Sequence, residues 1–324
     1  MGVPHLRLKS HLDAASLADI TGLIDETTRL EGHAPIGEHK YAHLKVGAAD
    51  WDGILVYDGN ALIGYAHLRW NPTGLQPRVA VEVVVHPDRR DEGVQAALLE
   101  EARGVVARSG GGTLYLWVHR VEDPETTLAR QMGFAIQREL AFMSMPLDPD
   151  TQPVTLPAGT VLRRYRGPAD DPALLAVNNA AFAGHPENGN WDSAELAERM
   201  GRTWFDPSGL LLAWRGEQLL GFHWTKWHAH PGDTPHEPVG EVYVLAVSPS
   251  AQGLGLGRAL LQAGLAHLAG RGCRRVILYV DGASRSATKL YATAGFTTEY
   301  TDVCYTDQVP GMAARPDPEL LRPA

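Results

Sequence analysis

Three glycines at alternate positions, in Gln252-Gly253-Leu254-Gly255-Leu256-Gly257, stand between an apolar strand, Glu241 to Val247, and a leucine-rich helix. That setting gives them a chemistry. Glycine lets backbone approach a ligand closely, and the first turn of a helix offers unpaired N–H groups at the positive end of its dipole, which together suit a pyrophosphate. The loop lacks the Lys-Ser/Thr pair of a P-loop, so the expected ligand is a phosphate-bearing cofactor of another kind. Taken alone, such a run could equally make nothing more than a tight turn.

The elements around the loop recur. Slid against itself by 162 residues (Val247 over Val85), the chain matches without a gap. Val83-Val84-Val85-His86-Pro87 falls on Leu245-Ala246-Val247-Ser248-Pro249, Gly93 on Gly255, Leu98-Leu99 on Leu260-Leu261, and Gly133-Phe134 on Gly295-Phe296. Each repeat reads as strand, Pro, glycine-bearing loop, amphipathic helix, strand, helix and Gly-Phe, which implies a βαβ unit with a partly parallel sheet. Leu256, Leu260, Leu261, Leu265 and Leu268 have helical spacing, as do Val94, Leu98, Ala102 and Val105, while Val276 to Val280 and Leu114 to Val118 read as strands. Met145 to Gly159 carries four prolines and no periodicity, the mark of a linker. The expected domains are therefore 1–150 and 151–324, each an α/β (α+β) mixed, twisted sheet flanked by helices. The proline-rich tail after Val309 is expected to lie on the surface.

Composition excludes several classes. The 324 residues include 29 Lys+Arg against 38 Asp+Glu, a net charge of −9, and no basic block, so the phosphate-neutralising face of a nucleic-acid binder is missing. Two cysteines, Cys273 and Cys304, make neither a metal cluster nor a disulfide scaffold, and no metal is expected. No apolar run reaches the ~18 residues of a membrane span, and the N-terminus has no signal-peptide core. A cytoplasmic monomer acting on a small molecule is the expectation.

The Q-x-x-G-x-G loop, followed by Leu290-Tyr291-Ala292-Thr293-Ala294-Gly295-Phe296, resembles the GNAT superfamily of N-acetyltransferases. The resemblance implies two tandem GNAT-like domains and acetyl-CoA as co-substrate. Attack of an amine on a thioester needs a base for the ammonium, donors for the carbonyl oxygen and an acid for the leaving thiolate. Glu241 is placed to be the base, directly or through water. Tyr291, with a reference pKa of about 10 against about 8.5 for a thiol, can be the acid. Backbone N–H groups near Leu245 to Val247 would hold the carbonyl oxygen. Outside this context a strand-end Glu is usually solvated and a helical Tyr facing a sheet is usually core. Ser284 departs from the family's usual Asn. In the first repeat, the 162-residue offset puts Val79 at the base position, Ala129 at the tyrosine position and Gln95 on Gly257, so that copy is read as degenerate.

A narrower resemblance runs over nearly the whole chain. Phe182 to Gly189, Trp204 to Gly209, Gly221-Phe222-His223-Trp224-Thr225-Lys226 and Gly240 to Val244 are similar to the mycothiol synthase family, tandem GNAT enzymes that acetylate the cysteinyl amine of cysteinyl-glucosaminyl-inositol. That resemblance implies substrate contacts at Glu38, Glu187, Lys226, Glu241 and Tyr279. It implies acetyl-CoA contacts at Leu245, Ala246 and Val247, at Gln252, Gly253, Leu254, Gly255, Leu256, Gly257 and Arg258, and at Ser284 through Lys289. A second acetyl-CoA at Val83, Val84, Val85, Arg90 and Gly93 stays open. So do another acceptor (an aminoglycoside, polyamine or peptide amine) and a non-catalytic acyl-CoA sensor, although a sensor would not need Glu241 and Tyr291 together.

Overall fold

The structure, a computed structural model, describes residues 5–36, 51–71, 77–149, 154–183, 189–228 and 238–312. It divides into two compact units: Met1–Glu139 with Thr301–Ala324, and Leu140–Tyr300.

In the first unit β1 (His5–Lys9), β2 (Trp51–Asp58), β3 (Ala61–Asn71), β4 (Arg78–Val85) and β5 (Gly111–Val121) pair in that order. Only the step from β4 to β5 is parallel. Helix α1 (Ala14–Glu31) packs with Leu55, Tyr57, Tyr65 and Val84. Helix α2 (Val94–Arg108) packs with Ile54, Val56, Ala66 and Val85, so strand alternation puts the two helices on opposite faces. A short helix, α3 (Leu128–Gln131), follows β5.

The second unit contains β6 (Ala135–Pro146) from Leu140 onward, β7 (Val161–Arg164), α4 (Asp171–Ala181), α5 (Ser193–Met200), β8 (Leu210–Arg215), β9 (Gln218–His228), β10 (Val239–Val247), α6 (Leu256–Gly270), β11 (Arg275–Asp281) and α7 (Arg285–Thr293). Its sheet order is β7-β8-β9-β10-β11-β6, parallel only between β10 and β11. The expected βαβ unit is thus present in both repeats, and α2 and α6 occupy the spans that the apolar spacing marked. No helix among the described residues is long and apolar enough to cross a membrane.

Each unit is finished by the last strand of the other repeat. Strand β12 (Thr297–Pro310) pairs antiparallel with β5, Val303 opposite Val118 and Tyr305 opposite Leu116, and Val303, Tyr305 and Val309 are buried in the α2 core. Strand β6 pairs antiparallel with β11, from Leu140 opposite Asp281 to Pro146 opposite Arg275. The spatial units therefore part at 139/140 and 300/301, whereas the repeats in sequence part near Thr151. Met145 and Pro146, which the prolines suggested were linker, are still strand, and the Leu147 N–H donates to the Arg274 carbonyl at 2.7 Å. Pro146 is tolerated because it closes the strand. Of the tail, Met312 donates its N–H to the Ala107 carbonyl at 2.9 Å, and residues beyond it lie outside the described ones.

The exchange makes a stability prediction. Tyr305 is fully buried and its hydroxyl donates to the Pro124 carbonyl at 2.8 Å. Tyr305→Ala should cost about 3–5 kcal/mol. Hydrogen exchange should then speed up in β5 and α2, far away in sequence, while β8, β9 and β10 keep their protection. Equal loss of protection in both units would show that the strand does not belong to the first unit alone.

Candidate active site

Helix α6 carries the glycine loop, and its height over the sheet is set by residues without side chains. A Cβ on Gly264 would fall 2.0 Å from the His223 ring, one on Gly240 2.7 Å from Leu268, and one on Gly221 2.7 Å from the Ala246 carbonyl oxygen. The buried His223 ring fills the space at Gly264 and donates from Nδ1 to the Leu260 carbonyl at 2.9 Å. Burial leaves no water to hydrate an imidazolium, and it holds the pKa of this histidine down at about 4.

Above this contact the chain leaves β10 through a 3-10 turn at Pro249–Ala251 and reaches α6 with Gly253 at φ +79° and Gly255 at φ +81°. Both angles are left-handed and favour glycine. Gly255 caps α6 with no side-chain hydrogen bond, so the N–H groups of the first turn have no side-chain acceptor at the cap. A Cβ on Gly257 would meet only Leu290 and Val247, at 3.6 and 3.8 Å, so packing does not demand glycine there. What glycine keeps clear is the approach to the helix N-terminus. Gln252, Gly253, Leu254 and Arg258 are exposed, and Arg258, Gln262, Leu290 and Thr293 line a cleft of about 470 Å³ between α6 and α7.

Beside the loop two parallel strands separate. β10 and β11 pair only from Val239/Arg275 to Glu241/Ile277, so the edge of β10 from Val242 to Val247 faces a gap instead of a partner strand. The same stretch holds a β-bulge: Val242 lies opposite Thr225 and Val244 opposite Trp224, with Tyr243 extra between them. Val242 packs into the α6 core, whereas Tyr243 and Val244 both pack on the α4 side. The inserted residue reverses the alternation, and Glu241 is turned to the face opposite α6.

On that face Glu241 lies directly across from Lys226. Its Oε2 is 2.7 Å from His228 Nε2 and 3.6 Å from Lys226 Nζ. The Lys226 ammonium also stands 5.0 Å from the centre of the Trp204 ring and 6.0 Å from that of Tyr243. Arg199 Nη1 donates to the Tyr243 hydroxyl at 2.9 Å and fixes that ring. Tyr291 lies on the other face, buried in the core of Val242, Leu261 and Val280 with its ring edge-on to Phe296 at 5.7 Å. Desolvation raises its phenol pKa, so it stays protonated.

Of the residues expected from sequence, Glu241 and Lys226 are brought together, and Gln252 to Arg258 form the loop that follows the far end of β10. Ser284 starts α7 with no side-chain cap bond, and Lys289 is exposed. Tyr279, half exposed on β11, meets Phe142 edge-on at 5.0 Å. Glu38 and Glu187 lie outside the described residues. His228, Tyr243 and Arg199 were not expected. The first two had a readable signal, since each lies two positions along a strand from a candidate, Lys226 or Glu241.

The first unit differs in register. Val85 pairs with Gly64 as Val247 pairs with Gly221, but β4 then runs without a bulge, and Ala80, opposite Arg69, stands where Glu241 stands opposite Lys226. The sequence offset had pointed one residue away, to Val79, which is buried on the α2 side. No carboxylate occupies either position, yet titratable groups cluster nearby. Glu82, buried opposite His67, lies 4.0 Å from His119 Nε2, and His119 Nδ1 is 3.1 Å from the Asp302 carboxylate. Gly93, at φ +75°, caps α2 without a side-chain bond. Arg90 is paired with Glu31, while Val84 and Val85 are buried in the unit's two cores.

The sequence profile of the acetyltransferase (GNAT) family matches residues 24–134 and 176–296. A mycothiol acetyltransferase of Acidothermus cellulolyticus is 40% identical over 314 residues, 93% of this chain and 94% of that one. One from Thermomonospora curvata is 42% identical over 295 residues, covering 91% and 94%. Among solved structures, a GCN5-related N-acetyltransferase of Sphaerobacter thermophilus superposes with a TM-score of 0.68 at 22% identity, covering 95% of this chain and 98% of that one. A tandem GNAT protein from the clavulanic acid biosynthesis pathway gives 0.66 at 18%, covering 95% and 100%. At these identities the two structures speak for the fold.

His223 predicts an acid weakness. Its pKa is about 4 in the folded chain against 6.5 ordinarily, so its contribution to stability is complete above pH 6.5 and is lost as pH falls through 4. The loss amounts to about 3 kcal/mol. Urea unfolding between pH 7 and 4 should show a steeper fall for the parent chain than for His223→Asn, whatever the variant's absolute stability. Parallel curves would show that this histidine is not the cause.

Proposed function

This chain belongs to the GNAT acetyltransferase family and, within it, to the mycothiol acetyltransferases, and we propose that it moves the acetyl group of acetyl-CoA to the cysteinyl amine of cysteinyl-glucosaminyl-inositol. The observation that carries the chemistry is Glu241 turned by the bulge at one end of the β10 edge that β11 leaves open, while that edge runs on toward a helix N-terminus with no side-chain cap bond. The acceptor rests on the likeness to the named relatives across more than nine-tenths of the chain.

The donor set fits acetyl-CoA. First-turn N–H groups from Gly253 to Arg258 suit the pyrophosphate, and the unpaired edge of β10 at Leu245, Ala246 and Val247 can take the amide-bearing arm by backbone hydrogen bonds. Ser284, Lys289 and Arg258 flank the same path. A bound acetyl-CoA supplies the activated carbonyl, and this chain's residues do the rest. Glu241 removes a proton from the substrate ammonium, directly or through water. N–H groups on the open edge of β10 hold the carbonyl oxygen where charge develops. Tyr291, kept neutral by burial, retains a proton to give to the departing thiolate. Lys226, Tyr279, Glu38 and Glu187 are assigned to the acceptor, whose hydroxyls need both donors and acceptors. Whether Val83, Val84, Val85, Arg90 and Gly93 hold a second acetyl-CoA is a separate question, and the Arg90–Glu31 pair argues for a weaker site there.

Free CoA thiol released from acetyl-CoA plus cysteinyl-glucosaminyl-inositol, corrected for the acceptor's own thiol, measures the reaction, with the acetylated product identified by mass. Glu241→Gln should lower kcat by about 10²–10⁴ with little change in acetyl-CoA affinity. Tyr291→Phe should lower kcat as well. Acetyl-CoA binding without conversion of this acceptor would redirect the search to other amines, and full turnover in Tyr291→Phe would remove the acid assignment.

A further inference from the structure

A general base works only if its carboxylate is aimed and stays ionised while it waits. Glu241 has two cationic or protonatable neighbours among the described residues, and they differ. Lys226, opposite on β9, is 3.6 Å away and shared with the rings of Trp204 and Tyr243, so it supplies charge at a loose distance. His228, two positions further along the same strand and so on the same face, places Nε2 2.7 Å from Oε2, a well-formed hydrogen bond. It stands opposite Val239 and reaches diagonally to Glu241, a contact that strand pairing allows for long side chains. The carboxylate is 12% exposed and the imidazole 30%, so the imidazole is the end of the pair that meets water.

We propose that His228 is a positioning residue for Glu241: its Nε2–H fixes Oε2 and leaves the other carboxylate oxygen for the acceptor ammonium. The charged groups facing His228 among the described residues are Glu241 on β10 and Lys226 on its own strand, and the three form one set. This role rests on the acetyl-transfer reading above, and its test carries one readout that does not.

Kinetics of His228→Ala and His228→Gln across pH 5.5 to 9 provide the first readout. His228→Ala should lose at least about tenfold in kcat with acetyl-CoA KM within about twofold. His228→Gln, which keeps an N–H donor, should recover most of kcat at neutral pH. The second readout is the His228 Nε2–H resonance by NMR in the parent chain and in Glu241→Gln, where replacing the charged acceptor by an amide should weaken the hydrogen bond and move the resonance upfield. If the resonance moves but no acceptor is acetylated, the pairing stands and the acetyl-transfer reading fails. If the resonance does not move, or both His228 variants keep the parent kcat, or only KM changes, His228 does not position the base.

Discussion

A strand shows alternate residues to opposite faces, and one extra residue reverses that alternation from the insertion onward. In β10 the extra residue is Tyr243, and everything chemical in the second unit follows from it. Without it Glu241 would point toward α6 and into core, as its offset partner Val79 does in the first unit. With it the carboxylate meets Lys226 and His228, while Val242 beside it still packs against Leu261 and Leu268. The bulge also coincides with the point where β10 and β11 stop pairing, so the exposed backbone edge and the base are produced by a single irregularity. Bulges occur beside active sites because they can re-aim a side chain at small cost to the sheet.

That irregularity needs a rigid surrounding, and the packing of α6 supplies it. Gly221, Gly240 and Gly264 let the helix approach the sheet closely, and His223 fills what Gly264 leaves open. A buried neutral imidazole is a costly filler, since its Nε2 has no hydrogen-bond partner among the described residues. Its Nδ1 bond to the Leu260 carbonyl nevertheless ties the first turns of α6 to β9, the strand that carries Lys226 and His228. Loop and base are thereby referenced to one strand.

Much of this was legible in the residues. The repeat, both α/β units, α2 and α6 and the glycine loop all have a sequence signal in periodicity, residue type or motif, whereas Lys226 stands out only through the family resemblance and its pairing with Glu241 only through the strand register. The bulge had none: Val242-Tyr243-Val244 contains no glycine or proline to mark it, and apolar residues continue on both sides. The offset comparison therefore ran one residue out of frame in the first unit, and it missed the Glu82, His119 and Asp302 cluster because Asp302 arrives from the far end of the chain. The strand exchange was hidden for a related reason. β6 and β12 occupy the same place in their repeats, so their patterns fit either sheet, and only the pairing partners decide. His228 was hidden more shallowly, since its period-two relation to Lys226 is visible once β9 is known to extend that far.

The exchanged strands also set an order of assembly during synthesis. Thr113 waits for Gln308, 195 residues later, to complete its side-chain hydrogen bond across β5 and β12. At ~5–20 residues per second the ribosome needs on the order of 10–40 s to cover that distance. Through that interval the unit made first has an open β5 edge, while the unit made second already holds β6 and can close as soon as Tyr300 has emerged. The N-terminal unit is therefore begun first and finished last. A message truncated near its end, or a protease acting on the final strand, damages the beginning of the chain before it touches the site in the middle.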